Sequence, residues 1–280
     1  MTVGLAFDLF KSALEITQSE QDAAKSSQAM LRDRLGGRLA ILDDFLSGSY
    51  KRDTKIRPLS DIDLFLVLDP GCFTLGPARV LGLVASHLRA SYPTSRLRVQ
   101  NRSVNLALIR FGFDVVPAFH RRGGGFLIPS MKSNSWVSTD PKAHEIAVSN
   151  ANLACGGKLK PLIKMVKCWN RTRKDRLQSF HLEVMALEVI SPPVYDYQTT
   201  ALRFFVQAAD RIQSLCFDPA GLGPPIDDYL TRSGRLAATR QLMVAARLAA
   251  RALEFERRRH SVAAIAVWRQ VFGKPFPVPA

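Results

Sequence analysis

The sequence predicts an α+β protein whose second half forms a helical lobe. Short β-type runs are concentrated before residue 120, whereas helical periodicity dominates after it. The hydrophobic fraction of 47% and the charged fraction of 22% are those of an ordinary globular chain, which excludes a disordered or fibrous protein. A length of 280 residues suits two lobes. We place them at residues 1–150, including an N-terminal helix, and at residues 151–280.

The first lobe is predicted to begin with helix and to continue as strands. Apolar residues recur at three- and four-residue steps through residues 4–46, as in Leu39, Leu42 and Phe45, and this spacing predicts helix up to the loop Ser47-Gly48-Ser49. Residues 62–68 are predicted to be a strand, and residues 78–90 a helix. Three further strands are expected at 96–100, 104–109 and 113–116, with Pro117 ending the last.

After the glycine-rich segment Arg121–Gly125, the chain is predicted to be helical almost to its end. Pro192-Pro193 and residues 218–225 interrupt it as loops. Prolines at 275, 277 and 279 predict an extended segment over residues 276–280. The expected helices cover 159–169, 181–190, 198–215 and 232–259.

The chain is strongly basic. Lys and Arg number 39 against 24 Asp and Glu, which gives a net charge of +15. Residues 151–280 carry 20 basic and 10 acidic residues, so most of the excess lies in the second lobe. Such a protein favours polyanions, namely nucleic acid, nucleotide phosphates or an anionic membrane surface, and net charge alone does not choose among them.

Cysteine spacing and hydropathy favour a cytoplasmic protein with reduced thiols. Cys72, Cys155, Cys168 and Cys216 show no zinc-ligand spacing, which predicts buried free cysteines. The longest apolar run in the middle of the chain, Leu64 to Leu68, is far shorter than the ~18 residues of a membrane helix. No basic segment precedes the first apolar residues, so we expect neither a secretory signal nor a membrane partner.

Two aspartates at the start of a predicted strand carry the first chemical signal. Asp61 and Asp63 are two residues apart, so both carboxylates lie on one face of the strand while Ile62 and Leu64 face a core. Adjacent carboxylates repel each other unless a cation joins them, and paired oxygen ligands suit Mg²⁺. For an isolated pair, a solvent-exposed strand edge would be the better interpretation.

Two further features accompany this pair. Asp114 lies within the apolar strand Phe111 to Pro117, where a carboxylate needs a cation or a donor beside it. Three carboxylates on adjacent strands can bind two metal ions for phosphoryl chemistry. Gly48-Ser49 offers a close backbone approach and a hydroxyl donor for a phosphate. The combination predicts a phosphoryl-transfer site that uses two Mg²⁺ ions, with Mn²⁺ as a substitute.

These motifs resemble the polymerase-β-like nucleotidyltransferase superfamily, and within it the bacterial CD-NTases of CBASS anti-phage systems, which are relatives of cyclic GMP–AMP synthase and 2′-5′-oligoadenylate synthase. The resemblance covers nearly the whole chain. One departure is Asp53, which stands where many members have glycine. The matching segments are Gly48–Leu68, Arg96–Phe119, the crossover between lobes with Ile128-Pro129, Trp136 and Thr139–Pro141, Lys158–Asn170, Ser179–Glu183 and Trp268–Pro277.

The resemblance implies roles for individual residues. Asp61 and Asp63 would bind both metal ions, Asp114 would bind one of them and help to deprotonate a ribose hydroxyl, and Gly48 with Ser49 would hold the donor triphosphate. Lys167 and Ser179 would reach the β- and γ-phosphates from the helical lobe. The residues themselves leave alternatives open: Lys167 as a solvated surface lysine, and Ser179 as a helix N-cap. His181 is predicted to be a core histidine rather than a base.

The implied activity is a synthase that joins ribonucleoside triphosphates, ATP among them, into a cyclic di- or trinucleotide for anti-phage defence. The alternative is a linear oligonucleotide synthase or a tRNA or RNA nucleotidyltransferase. A non-catalytic RNA-binding module is a third hypothesis, which three clustered carboxylates disfavour. A CBASS regulatory or conjugating partner protein is implied too, the latter acting at Ala280. Zinc-dependent DNA sensing is not expected, because His144, Cys155 and Cys168 form no tetrahedral ligand spacing.

Overall fold

A computed structural model describes residues 1–37, 39–174 and 176–279, and its contacts divide the chain into two compact units. The first unit, which contains the sheet, comprises Ile16–Glu145 and Ala220–Gly223. The helical unit comprises Met1–Glu15, Ile146–Pro219 and the chain from Pro224 onward. The expected lobes at 1–150 and 151–280 differ from these units mainly at residues 1–15. Ala280, the expected conjugation point, lies outside the described residues.

The first unit is built on a seven-stranded mixed sheet of order β1-β2-β5-β4-β3, with β6 joining β5 and β7 joining β6. Strand β2 pairs parallel with β5, and the other pairs are antiparallel. The predicted strand over residues 62–68 is confirmed. The strands are β1 Ile41–Ser47, β2 Asp61–Leu68, β3 Leu97–Val99, β4 Val104–Ala107, β5 Gly112–His120, β6 Phe126–Ser130 and β7 Ser135–Thr139.

The helix expected through residues 4–46 is correct only up to Gly36. Helices α1 Val3–Leu14 and α2 Gln18–Gly36 form there, but Leu39, Leu42 and Phe45 do not continue a helix. The segment that contains Leu42 and Phe45 is β1, whose residues pair antiparallel with β2. The three- and four-residue spacing of leucines was therefore misleading, because cross-strand pairing with a buried strand outweighs local periodicity.

Two other expectations near the middle of the chain are wrong. Pro117 does not end its strand, because β5 continues to His120. Strand β4 pairs only with residues 112–115 of β5, so β5 has no neighbour on that side at Pro117 and a missing N–H is tolerated. The chain after Gly125 is not helical either: the hairpin of β6 and β7 precedes the next helix.

The helices predicted at 78–90, 159–169, 181–190, 198–215 and 232–259 are confirmed to within a few residues at their ends, whereas the loop predicted at Ser47-Gly48-Ser49 is the end of β1 and the start of a short helix. Helix α3 Gly48–Lys51 is one turn, and a 3-10 helix covers Pro70–Leu75. The loops at Pro192-Pro193 and 218–225 are confirmed, and residues 276–279 are not helical, as predicted. The others are α4 Pro77–Ser91, α5 Pro141–Ala154, α6 Leu159–Thr172, α7 Ser179–Val189, α8 Tyr197–Arg211, α9 Arg232–Arg257 and α10 Ser261–Phe272.

Aromatic packing fixes the first helix within the helical unit. Phe7 contacts Trp268 edge-on, with ring centroids 5.0 Å apart, and Phe10 lies 4.9 Å from Phe272. Phe276 is fully buried beside Phe7 and Phe10, so the segment after α10 closes the same core. Aromatic burial of this extent explains why residues 1–15 group with the helical unit. None of the described helices is long and apolar enough to span a membrane.

Candidate active site

Strand β2 separates its polar and apolar side chains as the sequence predicted. Ile62, Leu64 and Leu66 are fully buried in one core cluster. Asp61 and Asp63 lie on the opposite face, where Phe65 continues into a second apolar cluster. The two carboxylates thus occupy the solvent-facing end of a face whose other end is buried. This placement comes from the period of two in an extended strand.

Strand β5 brings the third aspartate beside this pair. The parallel register places Asp114 opposite Asp63, and Gly112 opposite Asp61. Burial raises the pKa of the Asp114 carboxyl above its ordinary value, and the negative charge of Asp61 raises the pKa further. A hydrogen bond from Asn105 and the charge of Lys55 act in the opposite direction. The raised pKa makes Asp114 a stronger base than an exposed aspartate.

An asparagine that the sequence analysis did not single out joins two of these carboxylates. Asn105 on β4 lies opposite Asp114 in the antiparallel register. Its Nδ2 donates to Asp114 Oδ1 at 2.9 Å and to Asp61 Oδ1 at 3.1 Å. One amide group therefore holds oxygens from two different strands. In the sequence, Asn105 is a single polar residue in an apolar run. This observation points to the site only once the register of β4 with β5 is known.

The phosphate-loop candidate begins directly after β1, beside Asp63. Ser47 is the register partner of Asp63, and Gly48 turns the chain with φ +63°, a conformation that favours glycine. A Cβ built on Gly48 would lie 1.6 Å from Asp63 Oδ2. Gly48 is thus required both by its backbone conformation and by the carboxylate next to it. The structure brings Gly48 together with Asp63.

The residues that follow keep this turn in shape. The backbone N–H of Thr54 donates to the Ser49 carbonyl at 2.9 Å, and Lys55 Nζ donates to the Asp61 carbonyl at 2.7 Å. The Ser49 hydroxyl has no hydrogen-bond partner among the described residues, so it is available to a ligand. Asp53 has φ +56°, a left-handed backbone conformation that favours glycine.

The donor set suits a hard divalent cation, although the carboxylates are not gathered on one point. Among the residues that the structure describes, no group of three or more His, Cys, Asp or Glu side chains could hold a metal ion. Asp61 and Asp114 lie around the Asn105 amide, whereas Asp63 lies against Gly48. All three side chains are carboxylates on one face of the sheet, and carboxylate oxygens are the donors that Mg²⁺ or Mn²⁺ prefers. The residues therefore fit a metal by type and by face.

The two phosphate-binding candidates of the helical unit differ in exposure. Lys167 is only 4% exposed, and its Nζ donates to Glu183 Oε1 at 2.6 Å, with Glu183 fully buried. The alternative of a solvated lysine is therefore wrong. Ser179 is exposed as the first residue of α7, and Gln178 takes the N-cap position, so the alternative of an N-cap at Ser179 is wrong as well. A phosphate role for either residue stays a prediction.

The buried histidine and cysteines have structural surroundings. His181 Nδ1 lies 3.0 Å from the Tyr229 hydroxyl, and burial lowers the pKa of the imidazole to about 4. Cys168 Sγ donates to the Phe272 carbonyl at 3.7 Å, and burial raises the pKa of this thiol to about 11. Cys155 and Cys216 are buried and free, as predicted. His181 is a core residue, as the sequence indicated, although its Nε2 has no partner within the described chain.

Comparison with known proteins places the chain among nucleotide synthases. The family model described as the Second Messenger Oligonucleotide or Dinucleotide Synthetase domain matches residues 1–152. A curated cyclic AMP-AMP-AMP synthase of Acinetobacter sp. (strain ATCC 27244 / 9458) is 30% identical over 252 residues, covering 83% of this chain and 72% of that protein.

Solved structures agree with this family in fold. E. coli MS115-1 CdnC in complex with HORMA-deltaN aligns with a TM-score of 0.78 at 18% identity, and the same protein with ATP aligns with a TM-score of 0.77 at 17% identity. In both cases 98% of each chain is covered. The likeness confirms the predicted fold class, a polymerase-β-like core with a C-terminal helical lobe.

Proposed function

The chain belongs to the Second Messenger Oligonucleotide or Dinucleotide Synthetase family, and on this premise we propose that it uses ATP and releases a cyclic trinucleotide containing AMP. It is a nucleotidyltransferase of the CD-NTase type that synthesises cyclic oligonucleotides; a linear synthase or an RNA-modifying transferase is not favoured. ATP as substrate is supported by the Acinetobacter relative, a cyclic AMP-AMP-AMP synthase, and by the E. coli MS115-1 structure with ATP. The proposed setting is anti-phage defence in the cytoplasm.

The observation that carries the proposed site is the register of β2 and β5. It sets Asp63 beside Asp114, with the Gly48-Ser49 turn against Asp63. We propose that the amides and the hydroxyl of this turn bind the donor triphosphate. Mg²⁺ bound by Asp61, Asp63 and Asp114 would offset the phosphate charge and favour ionisation of the attacking hydroxyl. Glycine at position 48 leaves the Asp63 carboxylate room to lie beside the phosphates.

The chemical step is an exchange of one P–O bond for another. A ribose hydroxyl of one nucleotide attacks the α-phosphorus of the next, the new phosphodiester bond forms, and the bond to pyrophosphate breaks. The hydroxyl proton is proposed to pass to the Asp114 carboxylate, which the register of β2 and β5 places beside Asp63. Further attacks of the same kind extend the chain and close the ring, so each bond formed releases one pyrophosphate.

The helical unit is proposed to bind the β- and γ-phosphates through Lys167 and Ser179. The Ser179 hydroxyl is exposed and has no hydrogen-bond partner within the described residues, which suits this role. The Lys167 ammonium group is buried against the Glu183 carboxylate. To contact a phosphate, it must either bind the phosphate and the carboxylate together or leave the carboxylate. A regulatory partner protein is a further proposal, supported by the complex of E. coli MS115-1 CdnC with HORMA-deltaN.

Product analysis tests the proposed function. The protein is incubated with the four ribonucleoside triphosphates and Mg²⁺, singly and mixed, and the products are identified by mass spectrometry with pyrophosphate measured in parallel. We expect a cyclic product that contains AMP and whose formation stops when Mg²⁺ is chelated. A linear product, or nucleotide added only to supplied RNA, would contradict the proposal.

A further inference from the structure

We infer that Asn105 is a positioning residue that holds Asp61 and Asp114 together so that they can bind a cation. The inference rests on the proposed function in one respect, namely that these two aspartates are metal ligands. Asn105 itself is not proposed as a ligand. Its role is to converge two carboxylates that belong to different strands and that repel each other.

The contacts of the side-chain amide support this role. Asn105 Nδ2 lies 2.9 Å from Asp114 Oδ1 and 3.1 Å from Asp61 Oδ1, so one NH₂ group with two hydrogens serves both carboxylates. Each carboxylate keeps its Oδ2, which accepts nothing from Asn105. A hydrogen-bond donor that contacts the carboxylate oxygen not bound to the metal fixes the orientation of that carboxylate. A fixed orientation raises the affinity for the metal.

The neighbouring backbone is shaped to permit this convergence. A Cβ built on Gly112 would lie 2.6 Å from Asp61 Oδ1 and 3.4 Å from Asn105 Nδ2. Gly112 has no positive φ, so the reason for glycine here is space rather than backbone conformation. The Asp61 carboxylate uses that space to reach the Asn105 amide. Asn105 and Gly112 therefore act together to set the position of the Asp61 carboxylate.

Strand pairing in the sheet holds Asn105 in a fixed position. Asn105 lies between the buried residues Val104 and Leu106, and its register partner on β5 is Asp114 itself. The two hydrogen bonds thus connect β4 with β5 directly and with β2 across β5. The side chain at position 105 therefore sets the distance between the Asp61 and Asp114 carboxylates, rather than the position of only one of them.

Metal binding by the nucleotide-free protein tests the inference, with Mn²⁺ as the probe measured by electron paramagnetic resonance. We expect Asn105→Ala to weaken Mn²⁺ binding by about tenfold, as losses of residues that orient metal ligands do. Arg98→Ala is the matched control, because Arg98 is the exposed register partner of Asn105 on β3. The control is expected to bind Mn²⁺ like the parent.

A second variant keeps the test valid if Asn105→Ala folds poorly. Asn105→Asp replaces the donor by a third carboxylate, so its melting temperature in EDTA should fall below that of Asn105→Ala and should rise on Mn²⁺ addition by more than the parent's does. Equal Mn²⁺ affinity in the parent and Asn105→Ala, or equal Mn²⁺-induced shifts in the parent and Asn105→Asp, would overturn the positioning role while leaving the proposed function in place. Absence of Mn²⁺ binding by the parent would overturn the metal site together with the inference.

Discussion

The Asp63 carboxylate occupies the space that a side chain at position 48 would need. A Cβ on Gly48 would lie 1.6 Å from Asp63 Oδ2 and 2.5 Å from its carboxyl carbon. The turn after β1 and the second aspartate of β2 are therefore adjusted to each other. The eleven residues between Ser49 and Asp61 return the chain to this contact.

Gly48→Ala is expected to abolish cyclic nucleotide synthesis because its methyl group displaces the Asp63 carboxylate. Gly156→Ala is the matched control: Gly156 has φ +60°, close to that of Gly48, but a Cβ there meets nothing within 4 Å. The control should be less stable than the parent by only about 1 kcal/mol, because alanine there must adopt a left-handed conformation, and it should keep its activity. Thermal melts and product assays on both variants decide this, and an active Gly48→Ala would contradict it.

The sequence predicted the parts of the site that depend on local patterns, but not those that depend on strand pairing. The alternation in β2 was sufficient to place Asp61 and Asp63 on one face. Asn105 and Gly112 were missed because their meaning comes from the register of β4 and β2 with β5, which no local pattern specifies. The same cause explains why local periodicity predicts helix where β1 forms: its partner strand lies about twenty residues further along the chain.

Asp61→Asn combined with Asp63→Asn should stop synthesis without unfolding the protein. Both substitutions keep the shape of the side chains and remove two charges that repel each other, so the melting temperature in EDTA should stay level or rise. Asp43→Asn on the exposed side of β1 is the control and should behave like the parent. Triphosphate consumption by the double variant at the parent rate would show that the carboxylates are not the catalytic site.

Lys167→Met should destabilise the helical unit by about 3–5 kcal/mol, because it removes the buried ammonium group that pairs with the fully buried Glu183 carboxylate. Adding Glu183→Met should recover most of that stability, since apolar replacement of a buried ion pair is often neutral. The double variant then isolates the proposed phosphate contact: we expect a raised KM for ATP with a folded protein. Lys164→Met is the control for loss of a buried lysine, because its partner Glu15 stays partly exposed. An unchanged KM in the double variant would assign Lys167 a structural role alone.

The stability of the protein should fall as the pH is lowered from about 6.5 towards 4, owing to His181. The pKa of this buried imidazole is lowered from 6.5 to about 4, mainly by burial, with Arg235 and Arg211 acting in the same direction and Asp227 against it. The unfolded chain therefore binds a proton that the folded chain rejects, and the loss should reach about 2 kcal/mol near pH 5.

Urea unfolding at neutral pH and near pH 5 measures this loss. His181→Gln should remove the pH-dependent part while its amide retains a partner for the Tyr229 hydroxyl. His120→Gln, at an exposed position, should keep the full dependence. If His181→Gln and the parent lose the same free energy of unfolding, the imidazole is not the group responsible.

Synthesis is expected to proceed without nucleic acid, with control residing in a partner protein or a small molecule. Activation through a zinc-bearing insertion requires clustered Cys and His ligands, and the sequence spacing of His144, Cys155 and Cys168 predicts no tetrahedral set. His144, Cys155 and Cys168 are each buried. Exposed arginines such as those of α9 would bind DNA weakly and with steep salt dependence.

Product formation with and without duplex DNA or RNA, at near-physiological salt, measures the coupling between nucleic-acid binding and synthesis directly. A stimulation of about tenfold, equivalent to ~1.4 kcal/mol, would show that the synthase is a nucleic-acid sensor, and its salt dependence would then report how many phosphates the arginines neutralise.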